Sequence, residues 1–266
     1  MTFEPHPKEF FSPDQAPPRI LNLRDKLAAL AQLGIDRVVV EHFNAAFARL
    51  TPEEFVSEII VKRLNAKWIL IGDDFCYGAK RVGNFASLKT AGAKYGFEVS
   101  SIHTILEDGE RISSSSLRTA LANGDMHQAE KLLGRPYGIS GHVIHGQQLG
   151  RKLGFPTLNL AVANHLHHRK PATTGIFTAQ VLGLADKPLP AVASLGVRPT
   201  VEDEGRVLLE THIFDYQEDV YGKVITVELL EKIRDEAKYD DLDTLTNAIA
   251  ADAKHARNYF QKKAHV

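Results

Sequence analysis

Gly150-Arg-Lys-Leu-Gly-Phe-Pro-Thr-Leu-Asn-Leu160 frames a basic pair between two glycines and sets a proline directly before Thr157 and Asn159. If the backbone is extended after Pro156, side chains two apart share a face. The Thr157 hydroxyl and the Asn159 amide oxygen then converge on one spot beside positive charge. Two such oxygens suit a hard cation carrying phosphates, because Mg²⁺ takes oxygen ligands and shares them with a nucleotide. The competing reading is architectural: a glycine-bounded turn enters a barrel strand, and Thr157 and Asn159 satisfy nearby backbone groups.

The sequence around this stretch has the grammar of a barrel. Tyr137 to Ile144, Gly175 to Leu182, Ala191 to Leu195, Val207 to Phe214 and Val224 to Ile233 are short runs rich in Val, Ile, Thr and Phe. Turn residues separate them, as in Gly183-Leu-Ala-Asp-Lys-Pro188 and Glu202-Asp-Glu-Gly205, which predicts an antiparallel barrel. Asp241 to Phe260 then carries Leu242, Leu245, Ile249, Ala253 and Ala256 on one helical face, suited to packing against that barrel.

Before residue 134 the pattern alternates between helix and strand. Asn22 to Leu33 reads as a helix that stops at Gly34, and Arg37 to Phe43, with its Val38-Val39-Val40 run, as a buried strand. Thr51-Pro-Glu-Glu54 supplies an N-cap, a proline at the first helical position and a capping-box glutamate, with the helix running to about Leu64. Lys67 to Ile71 is a strand, a short helix ends at Gly96, and Phe97 to Ile105 is another strand. This order predicts an α/β unit with a parallel sheet covered on both faces, and a domain boundary near Gly134-Arg-Pro136. Met1 to Glu4 reads as the tail of a strand, broken at once by Pro5 and Pro7. A parallel α/β unit has a first strand and crossover helix before such a point, so missing N-terminal material is expected.

Length and composition bound the rest. A chain of 266 residues accommodates two domains, and 44% hydrophobic with 24% charged residues is ordinary for a globular protein. A net charge of −1 gives no global field for nucleic acid or an anionic membrane. The single cysteine, Cys76, cannot form an internal disulfide, and no apolar run approaches the ~20 residues that span a bilayer. The N-terminus does not read as a signal peptide. A soluble, cytoplasmic protein is expected.

Familiar nucleotide and hydrolase motifs are absent: there is no G-x-x-x-x-G-K-[ST], no G-x-G-x-x-G after a strand and no G-x-S-x-G. Ser113-Ser-Ser-Ser116 opens a helix whose N–H groups and hydroxyls, with Arg111 and Arg118, either hold a phosphate or simply cap a solvent-facing helix. Glu210 lies in an apolar strand with Leu209 and Thr211 facing the opposite way. It is either a general base beside a hydroxyl substrate or a carboxylate on the polar side of the strand. Arg234 either positions a substrate or pairs with a surface carboxylate. The histidine-rich run from Asn164 to Lys170 has no helically spaced ligand pair and reads as a solvated loop. His142 and His145 face opposite sides of a strand and make a poor ligand pair.

Read together, these segments resemble the bifunctional bacterial riboflavin kinase/FAD synthetase family. Gly150 to Leu160 is similar to the family's G-R-x-L-G-F-P-T-x-N-L motif. Gly175-Ile-Phe177, Ser194 to Thr200, Leu209 to Phe214 and Ile233-Arg-Asp-Glu236 follow in the family's order. Thr2 to Pro7, Gly72 to Gly78 with Arg81, and Ile112 to Arg118 are similar to its adenylyltransferase module, with Ser115 where the family has Thr.

The resemblance implies a Rossmann-like nucleotidyltransferase domain, lacking its first strand and helix, over residues 1–134. A small antiparallel β-barrel kinase domain with a C-terminal helix would follow over 135–266. Riboflavin, FMN and ATP would be the small-molecule partners, FMN and FAD the products and Mg²⁺ the cofactor. No nucleic acid or membrane is implied. Thr157 and Asn159 would hold Mg²⁺, and Gly150, Arg151, Gly154, Pro156 and Thr157 would bind ATP. Glu210 would be the catalytic base on the terminal ribityl hydroxyl, and Arg234 would lie near the flavin. Asp74, Arg111, Ser114, Ser115 and Arg118 would serve adenylyl transfer. The family's G-N-F-D-G-V-H-x-G-H segment is absent, so kinase activity is expected with adenylyl transfer impaired, and marginal stability is expected for the first domain. Alternatives are a flavin-binding protein without catalysis and a nucleotidyltransferase with another substrate.

Overall fold

The computed structural model describes residues 1–72, 74–102, 106–107, 109–146, 149–162, 171–197 and 207–263. In chain order, β1 (Thr2–Glu4) leads into α1 (Pro7–Phe11) and α2 (Leu23–Gln32), followed by β2 (Val40–His42) and α3 (Ala45–Ala48). Helix α4 (Pro52–Glu54) continues as a wider π-helical stretch over Phe55–Arg63, ahead of β3 (Trp68–Gly72), α5 (Phe85–Tyr95) and β4 (Glu98–Ile102). A small hairpin of β5 (Leu106–Glu107) and β6 (Glu110–Arg111) precedes α6 (Ser114–Asn123) and α7 (Met126–Leu133). Then come β7 (Tyr137–Ile144), α8 (Leu149–Lys152), β8 (Leu158–Ala161), β9 (Gly175–Leu182) and β10 (Leu189–Val197). The chain ends in β11 (Val207–Ile213), β12 (Val224–Arg234) and α9 (Leu242–Lys263).

Two compact units divide these elements. The first comprises Met1–Pro17 and Arg37–Arg111, and the second Pro18–Asp36 and Ile112–Val266. The expected boundary near Gly134 differs from this division in two ways: α2, and the pair α6 and α7, group with the barrel. For α2 the reason lies in the hydrogen bonding of β7. Only Val143 and Ile144 of β7 pair with β8, which leaves the backbone at Ser140 open on that side. Asn22 Nδ2 donates to the Ser140 carbonyl at 3.1 Å, and the Ser140 N–H donates to Asp25 Oδ2 at 3.2 Å. Asn22 is also the N-cap of α2, so one residue starts the helix and docks it.

In the first unit, β1 and β2 pair in parallel, as do β3 and β4, forming two separate pairs among the described residues. Thr51 and Glu54 form the expected reciprocal capping box. Phe55, Ile59, Ile60, Ile71, Leu88 and Phe97 form the core, bringing the π-helical stretch and α5 onto one face of β3. The expectation of a sheet covered on both faces is corrected here: Trp68 and Leu70 on the opposite face of β3 are exposed. The strand expected over Arg37 to Phe43 forms, but only as β2 (Val40–His42), and it is not buried: Val40 is exposed, and among the described residues β2 pairs with β1 alone.

The second unit is a closed barrel in the order β10-β11-β8-β7-β12-β9, all of its neighbouring strands antiparallel. Alternation fills it: Phe177, Ala179 and Val181 of β9, Leu195 of β10, Leu209 of β11 and Val227 of β12 are fully buried. Helices α6 and α7 add Leu121 and Ala129 to the same core. The predicted strands after residue 136 all form, and β8 is the one additional barrel strand. The His-rich 164–170 run and the 202–205 turn lie outside the described residues. Among the described residues no helix is long and apolar enough to cross a membrane.

Because Leu209 is fully buried in this barrel, Leu209→Ala should lower unfolding free energy by about 2–5 kcal/mol in a urea titration. A loss under about 1 kcal/mol would mean the site collapses around the deletion rather than leaving a cavity.

Candidate functional site

Strand register brings the singled-out residues of the barrel into one lateral row. Asn159 of β8 lies opposite Glu210 of β11, and Glu210 opposite Ser194 of β10. Ser194 lies opposite Ile176 of β9, and Ile176 opposite Arg234 at the end of β12. Directly opposed residues point to the same face, so Asn159, Glu210, Ser194, Ile176 and Arg234 line one strip. It lies on the outside of the barrel, since Leu209 and Thr211 on either side of Glu210 are fully buried within it.

That outer strip is partly covered: Asn159 is buried, and Ile176, Ser194, Glu210 and Arg234 are half-buried. The connection 235–239 and helix α9 overhang it, leaving an open cavity of about 250 Å³. Gly150, Thr157, Asn159, Glu210 and Arg234 all line this cavity. Its apolar wall comes from Phe155, Ile176, Val192, Leu245 and Ile249. Glu210 thus faces out of the barrel, as the polar-side reading expects, and lines a cavity there.

Arg234 pairs with a carboxylate, but a buried one. Its Nε and Nη2 donate to Asp252 Oδ1 and Oδ2 at 3.0 and 2.6 Å, and Asp252 on α9 is only 6% exposed. This side-on pair holds the Arg234 pKa above its usual range, the hydrogen bonds to Asp252 outweighing burial.

Glu236 shares the cavity wall, and its carboxylate lies where a side chain on Gly196 would collide with it. Burial pushes the Glu236 carboxyl up, and the nearby Glu210 charge adds to the rise. A hydrogen bond with the Ser194 side chain and the charge of Arg234 oppose it.

Behind Thr157 lies a second cavity of about 480 Å³, with Arg151, Pro156, Thr157, Tyr216 and Tyr221 in its walls. Thr157 therefore stands between the two cavities. The preceding turn fits this role only with glycine: a Cβ on Gly150 would strike the Phe155 carbonyl and crowd Thr157 Oγ1 at 3.2 Å. Gly154 has φ +85°, a conformation that favours glycine. His212 Nδ1 lies 2.8 Å from the Pro156 carbonyl, tying β11 to the strand entry.

The remaining candidates lie elsewhere. Asp74 and Arg111 belong to the first unit, both exposed. In the second unit Ser113, not Ser114 or Ser115, caps α6, accepting from Ser116 N–H at 3.1 Å. The Ser114 and Ser115 side chains are exposed on the first turn. Arg118 donates to the carbonyls of Pro18 and Ser114 at 2.8 and 3.1 Å. His142 lies 3.0 Å from the Gly222 carbonyl and His145 stacks on Tyr221 at 3.7 Å, so neither joins the other. Among the described residues no group of His, Cys, Asp and Glu is arranged to hold a metal.

Sequence reading passed over Ser194 and Glu236 as individual site residues, and Asp252 altogether. Ser194 and Glu236 stood inside quoted motifs, so signal was present. Asp252 is one acidic residue on a helix with many polar positions, and nothing local marks it.

The riboflavin kinase family profile matches residues 133–260 and the FAD synthetase profile residues 1–116. A bifunctional riboflavin kinase/FMN adenylyltransferase of Escherichia coli K12 is 46% identical over 260 residues, 98% of this chain and 82% of that protein. Proteins of the same description from Haemophilus influenzae and Pseudomonas fluorescens are 40% and 41% identical, over 98% and 99% of this chain and 83% of each relative. A solved structure described as a macrolide-efflux protein from Streptococcus pneumoniae superposes with a TM-score of 0.71 at 32% identity, covering 90% of this chain and 75% of that one.

The raised Glu236 pKa carries a sign. A carboxyl that binds its proton more tightly when folded favours the fold at low pH and loses that contribution as pH rises through the folded pKa. Glu236→Gln should therefore melt above the native protein at mildly alkaline pH, and the gap should close towards the ordinary glutamate value of 4.5. A gap that widens on acidification would contradict burial as the dominant cause.

Proposed function

The chain belongs to the bifunctional riboflavin kinase/FMN adenylyltransferase family, and on that basis we propose how its residues carry out the reactions. The enzyme phosphorylates riboflavin to FMN with ATP and adenylylates FMN to FAD. The kinase module is assigned to residues 135–266 and the adenylyltransferase module to residues 1–134.

The carrying observation is the lateral row Asn159–Glu210–Ser194–Ile176–Arg234 along one cavity beside Thr157. The cavity with the apolar wall takes the flavin, with Arg234 at one end of the row and Glu210 near the other. The second cavity, walled by Arg151 and Pro156, takes ATP, with its γ-phosphate at Thr157. Gly150 and Gly154 shape the turn that lets Thr157 face both. Glu210 accepts the proton of the terminal ribityl hydroxyl as that oxygen bonds to the γ-phosphorus. The bond from phosphorus to the β,γ-bridging oxygen breaks in line, and ADP leaves.

The donor set fits Mg²⁺. Asn159 Oδ1 is buried without a hydrogen-bond partner among the described residues, and Thr157 lines the same cavity with a second oxygen. Bound there, Mg²⁺ would neutralise phosphate charge during transfer.

For adenylyl transfer we assign Asp74, Arg111, Ser114, Ser115 and Arg118. Support comes from the exposed serine hydroxyls at the N-terminal turn of α6, where backbone N–H groups favour phosphate.

Incubated with riboflavin, ATP and Mg²⁺, the chain should form FMN, and Glu210→Gln should lower kcat by about 10²–10⁴-fold with the riboflavin Kd little changed. Undiminished turnover in that variant would remove Glu210 as the base, and flavin binding without any FMN would favour a non-catalytic binder. Asn159→Ala should raise the Mg²⁺ concentration needed for half-maximal rate.

A further inference from the structure

Asp252 is the one buried charged side chain among the described residues. A buried carboxylate is unfavourable unless it is paired and hydrogen-bonded, and an apolar side chain of similar size would brace a helix at least as well. Its place in the fold suggests what the carboxylate does. Leu245, Ile249 and Asp252 fall at i, i+4 and i+7 on α9, one helical face, and all three line the first cavity. The two apolar members meet the cavity directly. Asp252 instead takes two N–H groups of Arg234, while Arg234 Nη1 donates to the Asp235 carbonyl at 3.0 Å.

Three guanidinium nitrogens are thereby fixed, and the Tyr239 ring lies 5.8 Å from Arg234 Cζ. Arg234 itself is the last residue of β12, where the register against β9 shifts between Lys232 and Arg234. A bulge at a strand end re-aims the side chain there, and the hydrogen bonds to Asp252 then fix where the guanidinium points.

We infer that Asp252 is a positioning residue of the kinase site, aiming the Arg234 guanidinium across the flavin cavity so that riboflavin affinity depends on how α9 is seated. This rests on reading the first cavity as the flavin site. The helix is then a wall of that site as well as a brace on the barrel. The following turn of the same face braces: Ala253 and Ala256 pack on Val192 and Phe214, and beside them Arg257 pairs with Asp215 at 2.9 Å and lies over the Phe214 ring.

The test compares steady-state kinetics of the full chain with those of the near-isosteric Asp252→Asn and of Arg234→Lys, which keeps the charge and loses the fork. Each variant should raise the riboflavin KM about tenfold, leave the ATP KM within about twofold and change kcat little. Because Asp252 acts through Arg234, Arg234→Ala and the Arg234→Ala/Asp252→Ala double variant should lose the same amount. A purely bracing role would instead lower the melting temperature and affect both substrates alike.

An Asp252→Asn protein with the native riboflavin KM overturns the inference, as does full additivity in the double variant. Should Asp252→Asn not fold, a native riboflavin KM in Arg234→Lys overturns it equally. A native chain that makes no FMN overturns the kinase reading and the inference together. FMN formation that depends on Glu210 and ignores Asp252 overturns the inference alone.

Discussion

The lateral register of the closed barrel is the constraint on which the rest of the site depends. Asn159, Glu210, Ser194, Ile176 and Arg234 come from five strands spread over more than seventy residues of sequence, yet they stand in one row. A slip of one residue in any strand would turn its member of the row into the core and bring a core residue out. The force that prevents the slip is apolar. Leu209 next to Glu210 and Leu195 next to Ser194 are fully buried, so a register error in either strand would expose a leucine and bury a polar group. The placement of the proposed base is thus enforced by its neighbours in the core, and closure leaves no edge strand along which pairing could drift.

Facing outwards from a barrel would ordinarily put Glu210 in water. Here α9 and the connection before it convert an outer face into a lined cavity, and the conversion changes the chemistry of each group within it. Glu236 is shifted up by burial, and Gly196 has to lack a side chain for that carboxyl to fit. Arg234 is shifted the other way relative to its own burial, because its hydrogen bonds to Asp252, helped by that carboxylate's charge, outweigh the burial. The same roof therefore holds one acidic group that is easier to protonate and one cation that is harder to neutralise. The two lie two residues apart in sequence.

What could be read from the sequence follows the range of each interaction. The Thr51/Glu54 capping box and the glycine stops at Gly34 and Gly96 depend on neighbours within four residues, and each forms as expected. Strand alternation likewise marked Glu210 as opposite to Leu209 and Thr211. Alternation gives a face without saying what covers it, and so the cavity was out of reach. The pairing of Asp252 with Arg234 spans eighteen residues and a change of element, with no periodic signal to announce it. The expected burial of Arg37 to Phe43 fell short for a related reason: β-branched residues favour a strand, but burial depends on what packs over it, and among the described residues β2 pairs with β1 alone. The docking of α2 onto Ser140 depends on where β8 stops pairing with β7, another long-range fact.

The shortness of β8 completes the design. It contributes only four residues, pairing with β7 at Val143 and Ile144 and with β11 from Leu208 to Thr211. The preceding segment, from the turn at Gly150 to Thr157, is therefore outside the barrel ladder and free to follow its own geometry. Glycines at 150 and 154 let it fold tightly, and Pro156 fixes the backbone as it enters the strand. A longer β8 would have drawn Thr157 into the ladder and closed the passage between the two cavities. Ending the strand at Leu158 leaves Thr157 as a wall common to both, and phosphoryl transfer between two separately bound substrates requires such a shared boundary.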